Sequence, residues 1–178
     1  QDLRNTVLNK KITDEHIMNC AQTLRKNGIR TGSFNMLNLP GETLENAWET
    51  VAMNIRAGVD EPWCSLVQPY PGTRLEQIAR ERGLLPRDFN ADSIPVSYFR
   101  SSPIENPDRA ALENLHKVFY LAVKAPRLHP LLRRLARGRD GGVLDALFKV
   151  TYGVRYARVY NNSLLRVWKT GRLNARQY

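Results

Sequence analysis

Two stretches of the chain repeat one pattern: an apolar run, a Pro-Gly turn, then apolar residues at helical spacing on a polar background. In "NMLNLPGETLENAWETVAMNIRAG", Leu44, Ala47, Trp48, Val51 and Ile55 recur at three- and four-residue steps, which predicts a helix with one apolar face. Thr43 stands where an N-cap belongs, and Gly58 where the helix stops. In "PWCSLVQPYPGTRLEQIARERG" a strand precedes the turn, and Leu75, Ile78 and Ala79 predict a short helix from about Arg74 to Gly83. Upstream, Ile17, Ala21 and Leu24, with Met18 beside them, predict a helix over "ITDEHIMNCAQTLRKNGI". Thr13 caps it, Asp14 and Glu15 suit its positive end, Arg25 and Lys26 its negative end, and Gly28 its left-handed stop. The strand candidate "IRTGSFNMLNLP" follows.

Helix, strand, helix, strand, helix is the order that gives parallel βαβ connections. The two turns are 31 residues apart, the length of one βα unit of a barrel or a doubly wound sheet. Two strands do not bury both faces of a parallel sheet, so further strands are expected from upstream sequence. The chain, which starts at Gln1, therefore reads as a segment of a longer protein.

Past Pro86 the texture changes. "PRDFNADSIPVSYFRSSPIENPD" is rich in Pro, Ser, Asn and Asp and predicts a long irregular connection. A helix follows with Leu112, Leu115, Phe119, Ala122 and Val123 as its stripe, Pro107 and Asp108 at its start and Pro126 at its stop. Shorter helical patterns cover about 130–137 and 142–152, and from Arg155 onward Arg, Tyr and Trp interleave without a period. The expected organisation is thus residues 1–85, an irregular connection over 86–108, and a mostly helical, basic extension over 109–178.

Charge sharpens that division. The net charge of the 178-residue chain is +10, yet residues 1–90 hold 11 Lys/Arg against 11 Asp/Glu, so the whole excess lies in the second half. No apolar h-region opens the chain and no run of about 18 apolar residues occurs, which leads us to expect a cytoplasmic protein. Cys20 and Cys64 are expected to be free thiols, buried or partly buried, and neither belongs to a CxxC or Cys/His cluster. His16, His116 and His129 have no partner in sequence and read as structural or solvent-facing, while Trp48 and Trp63 read as core.

In parallel α/β folds, ligands bind where strands end and helices begin. Both Pro-Gly turns sit there. "NLPGET" is expected to offer free N–H groups at a positive helix end, with Gly41 allowing close approach and Glu42 adding an acceptor. "QPYPGT" brings Gln68, Tyr70 and Thr73 to the neighbouring strand end. The plain alternative is a good turn followed by a good cap.

Residues 3–85 as a whole resemble the second half of the radical S-adenosylmethionine (SAM) enzyme core. They are most similar to its cobalamin-binding-domain subgroup, whose members carry segments like "FNMLNLPGET" and "QPYPGT". The resemblance implies a partial (β/α)6 barrel, with SAM across the C-terminal ends of its strands and bound to a [4Fe-4S] cluster. It implies reductive cleavage to a 5′-deoxyadenosyl radical, used in radical methylation or rearrangement of a small-molecule or lipid-like substrate, with flavodoxin or ferredoxin as electron donor. Carried over by residue, Asn35, Met36, Leu39, Pro40, Gly41 and Glu42 would contact SAM, mainly through main chain, and Gln68 and Tyr70 would face the cavity. Where the family has Gly before Leu-Pro-Gly this chain has Asn38, whose side chain either crowds the adenine or points away. The CxxxCxxC cluster motif and the cobalamin domain lie upstream in the family, so this segment alone is expected to be inert.

Two other readings compete. One is a non-catalytic interaction module whose basic half, with Tyr120, Tyr152, Tyr156, Tyr160 and Trp168 interspersed, meets an anionic membrane surface or, lacking a recognition motif, less favourably nucleic acid. The other is a phosphate-binding barrel enzyme, which needs a Gly-rich anion loop that is not evident.

Overall fold

Three threonines set the starts of three helices. Thr13, Thr43 and Thr73 each accept, through the side chain, the backbone N–H three residues on: from His16, Asn46 and Glu76. In this computed structural model residues 2–95, 97, 99–138 and 142–159 are described. A short α1 (Asp2–Thr6), which the hydrophobic pattern does not predict, precedes α2 (Asp14–Lys26) and strand β1 (Gly32–Leu37). Then come α3 (Leu44–Ala57), strand β2 (Glu61–Leu66) and α4 (Arg74–Glu81). After the connection, α5 (Arg109–Lys124), α6 (His129–Arg137) and α7 (Val143–Val159) complete the order. The last helix continues seven residues beyond the pattern that predicts it; Tyr160, Trp168 and the rest of the basic tail lie outside the described residues.

The strands pair in parallel, from Gly32 opposite Glu61 to Leu37 opposite Leu66, with α3 as the crossover. The chain is therefore α/β, built on a two-stranded parallel sheet. Along β1, Ser33, Asn35 and Leu37 turn toward α3. Ser33 Oγ donates to Asn54 Oδ1 of α3 at 2.5 Å, and Asn54 Nδ2 donates to Asn35 Oδ1 at 2.9 Å. Phe34, on the other face, is 90% exposed.

One core joins the two expected regions. Leu37 and Leu66 at the strand ends pack with Leu44, Trp48 and Val51 of α3 and with Leu112, Leu115 and Phe119 of α5, so α5 is part of the same hydrophobic unit as the sheet. A second cluster, with Leu39, Val67, Ala79, Phe89 and Ile104, lies under the strand ends. By contrast α2 buries none of its residues: Ile17, Met18, Ala21 and Leu24 are only half covered. Cys20 is exposed rather than buried, because it lies off that stripe.

Candidate functional site

The site begins with the backbone of residue 38. Asn38 has φ of 68°, in the left-handed region, and is fully buried. Asparagine enters that region more readily than other residues with a Cβ. Its side chain turns away from the strand end, into the connection: Asn38 Nδ2 donates to the Ile104 carbonyl at 2.9 Å, and Asn38 Oδ1 accepts from Asn106 Nδ2 at 2.9 Å.

The connection expected to be irregular is in its second half a strap across both strand ends. Gln68 Nε2 donates to the Ser101 carbonyl (2.8 Å), and Ser102 Oγ donates to the Val67 carbonyl (2.6 Å). Asn106 Nδ2 donates to the Leu39 carbonyl (2.7 Å), and Asn106 Oδ1 accepts from the Gly41 N–H (2.8 Å). Asp108 Oδ2 accepts from the Leu44 N–H at 2.8 Å. Asp108 makes no side-chain cap on α5, the helix it precedes; it caps α3 instead.

This corrects the expectation of free N–H groups at "NLPGET". Glu42 Oε2 takes the Leu39 N–H at 2.9 Å, Asn106 takes Gly41, Asn46 takes Thr43 and Asp108 takes Leu44. The chain's own side chains thus take the Leu44 and Asn46 N–H groups of the first turn of α3, which a ligand was expected to find free. Gly41 (φ 81°) does permit a close approach, but by Arg82. Its Nη1 donates to the Pro40 carbonyl at 2.7 Å and stands 2.7 Å from where a Cβ would be.

Glu42 is 3% exposed. Burial pushes its pKa up to about 7, against two backbone N–H bonds, from Leu39 and Asn38, that pull it down. It is poised to exchange a proton near neutrality, inside the turn rather than at an open surface. Asn35 is likewise committed, donating to the Trp63 carbonyl at 2.8 Å. Leu39 and Pro40 are buried, and Met36 packs at the edge of the second cluster. Gln68 Oε1 is buried with no hydrogen-bond partner among the described residues, and Tyr70 is 57% exposed. The structure thus gathers Asn38, Leu39, Pro40, Gly41 and Glu42 into one turn, buries the Gln68 amide at the neighbouring strand end and leaves Tyr70 exposed there. The N–H groups of Leu39, Gly41 and Glu42 are bonded within the chain, and Gly41 is the exposed residue of the turn. Among the described residues no group of His, Cys, Asp or Glu is placed to hold a metal ion.

The two long edges of the sheet differ. The N–H groups of Glu61 and Val67 bond to Thr31 and Leu37, so odd-numbered β2 residues face β1 and even-numbered ones face outward. Both outward carbonyls near the start of β2 are covered by side chains: Arg155 Nη2 donates to Pro62 at 2.7 Å, and His116 Nε2 lies 3.1 Å from Cys64 O. Pro62 itself has no N–H to present. The Arg155 guanidinium lies between the rings of Trp63 (4.1 Å) and Tyr120 (4.4 Å), and its Nε is 3.7 Å from Glu61 Oε2. Burial holds His116 down at about 4, so its ring is neutral, with Nε2–H donating and Nδ1 bare. The outer edge of β1, where Phe34 and Met36 turn their peptide groups, pairs with no strand among the described residues.

Sequence reading missed Asn106 and Arg82 as partners of the turn and Ser102 as the partner of Val67, and placed Asp108 at the start of α5 rather than on α3. The one signal for Asn106, Asp108 and Ser102 was the Asn/Asp/Ser content of "SSPIENPD", which marks a loop without naming what it bonds to; Arg82 had none. No protein-family model, curated protein or solved structure matches the chain.

Proposed function

We propose that the chain is the closing part of a radical SAM barrel, its last two βα units, in a cytoplasmic enzyme that also uses cobalamin. The observation that carries this reading is the asymmetry of the sheet edges. β2 ends the sheet, with Arg155 and His116 on its outward carbonyls, while β1 keeps a bare edge beside the exposed ring of Phe34. Ile12 and Ile29 are exposed and the stripe of α2 is only half covered, as they would be if further βα units packed on this part of the chain. Asn38 supports it too: its left-handed backbone is a conformation that Gly, which the resembled family has at that place, adopts without steric cost.

In such an enzyme the cluster and SAM, held by upstream sequence, would supply radical hydrogen-abstraction chemistry on a small-molecule or lipid-like substrate, with flavodoxin or ferredoxin as the electron source. The part played by this chain is a rigid wall. The strap fixes both strand ends, and Tyr70 is the polar side chain it leaves exposed beside them. The test is to express the longest reading frame containing the chain and reconstitute it anaerobically with iron and sulfide. With SAM and dithionite it is expected to form 5′-deoxyadenosine. A fully reconstituted protein that forms none overturns the reading.

A further inference from the structure

The last helix is apolar on two sides. Its inner side carries Leu144, Leu147 and Phe148 toward α5 and the β2 edge. Its outer side carries Val143, Val150 and Val154, which are 61%, 64% and 36% exposed. Positions 143, 150 and 154 lie i, i+7, i+11 apart, along one line of the helix. A surface helix ordinarily keeps that line polar. On either flank stand Lys149 and Arg158, exposed and without an acidic partner among the described residues. On α6, which packs on α5 as α7 does, Leu131 is 53% exposed beside Arg134, which likewise has no acidic partner there.

The cations that serve the fold are different ones. Arg133 and Arg137 bind Glu45, and Arg155 covers β2. The single acid on α6 and α7, Asp145, pairs with Lys117. What remains outward is aliphatic surface ringed by unneutralised positive charge. A second copy would bring the same cations against each other. A nucleic acid would meet valines, which neither stack nor hydrogen-bond. An anionic lipid surface satisfies both components, taking the aliphatic groups into the interface and the cations among its headgroups.

We propose that the outer face of α7 seats the protein on an anionic lipid surface. This goes beyond the barrel reading and does not rest on it. The test is sedimentation of the 178-residue chain with phosphatidylcholine vesicles, with or without about 30% phosphatidylserine, at about 0.05 M and about 0.5 M NaCl. Binding is expected only with phosphatidylserine and to weaken in high salt. Val150→Asp and the pair Lys149→Glu with Arg158→Glu change exposed residues, and circular dichroism checks that each variant keeps its helix content. Each is expected to lower partitioning at least about tenfold. Binding unchanged by these variants, or equal on neutral vesicles, overturns the proposal. So does binding to single-stranded RNA that survives Val150→Asp, or a dimer that Val150→Asp dissociates while vesicles leave the wild type in solution.

Discussion

Asn106 donates through Nδ2 to the side-chain oxygen of Asn38 at 2.9 Å, across 68 residues of chain. The bond fixes a left-handed residue at the end of β1 and ties the connection before α5 to the turn before α3. Residue 38 therefore serves backbone geometry and strap anchoring together, and substitutions separate the two.

Asn38→Ala should destabilise the chain by about 3 kcal/mol. It forces a Cβ residue without a compensating bond into the left-handed region and strands a buried carbonyl at Ile104. Asn38→Gly removes the conformational cost and loses only the bonds, so it should be milder by about 1 kcal/mol. Urea unfolding of the three proteins tests the order, and an Ala variant as stable as the Gly variant contradicts it.

Glu42 and His116 should impose opposite pH dependences. The folded-state pKa of Glu42 is raised to about 7 from 4.5, so its contribution is fully present below about 4.5 and is lost as pH rises toward 7. The folded-state pKa of His116 is lowered to about 4 from 6.5, so its contribution is present above 6.5 and is lost as pH falls toward 4. Each is worth on the order of 3 kcal/mol across its window. Between about 4.5 and 6.5 the two slopes offset. Glu42→Gln should unmask a stability that rises with pH there, and His116→Gln one that falls. Melting temperatures measured across the window would show a parallel response of both variants if the assignment is wrong.

Asp108→Ala should cost about 1 kcal/mol, the value of an N-cap. The loss should appear in α3, whose Leu44 N–H it caps, and not in α5, which it precedes. Amide hydrogen exchange resolves the two helices. Faster exchange confined to the first turn of α5 would refute the cross-chain cap.

Arg155→Lys should destabilise by about 2 kcal/mol or more although charge is kept. A planar guanidinium lies between Trp63 and Tyr120, and an ammonium does not stack in that slot while reaching the Pro62 carbonyl. A red shift of tryptophan emission should accompany the loss, since the cover over Trp63 loosens. A lysine variant with wild-type stability and emission would show that the slot tolerates any cation.

Phe34→Ser should leave the 178-residue chain within about 0.5 kcal/mol of wild type, because the ring is 90% exposed. In a longer product whose further strands cover β1, the same change should cost about 3 kcal/mol. Equal small effects in both would argue against a sheet that continues past β1.

Local pattern was enough for the elements. The apolar period of α3, the threonine caps and the Gly58 stop are properties of a few neighbouring residues, and those choose a helix wherever the chain later goes. The parallel pairing followed from the length of the crossover, which no hairpin spans. The strap was not legible. Asn106 bonds to Asn38 and Leu39, and Asp108 to Leu44, only because α5 docks on Leu37 and Leu66 and draws its own N-terminus past the strand ends. The same docking decided that the Gly41 and Leu44 N–H groups are occupied and that His116 and Arg155 close β2. Hydrophobic periodicity is written residue by residue, whereas hydrogen-bond partners 68 and 93 residues apart are chosen by packing, and only the folded chain holds that information.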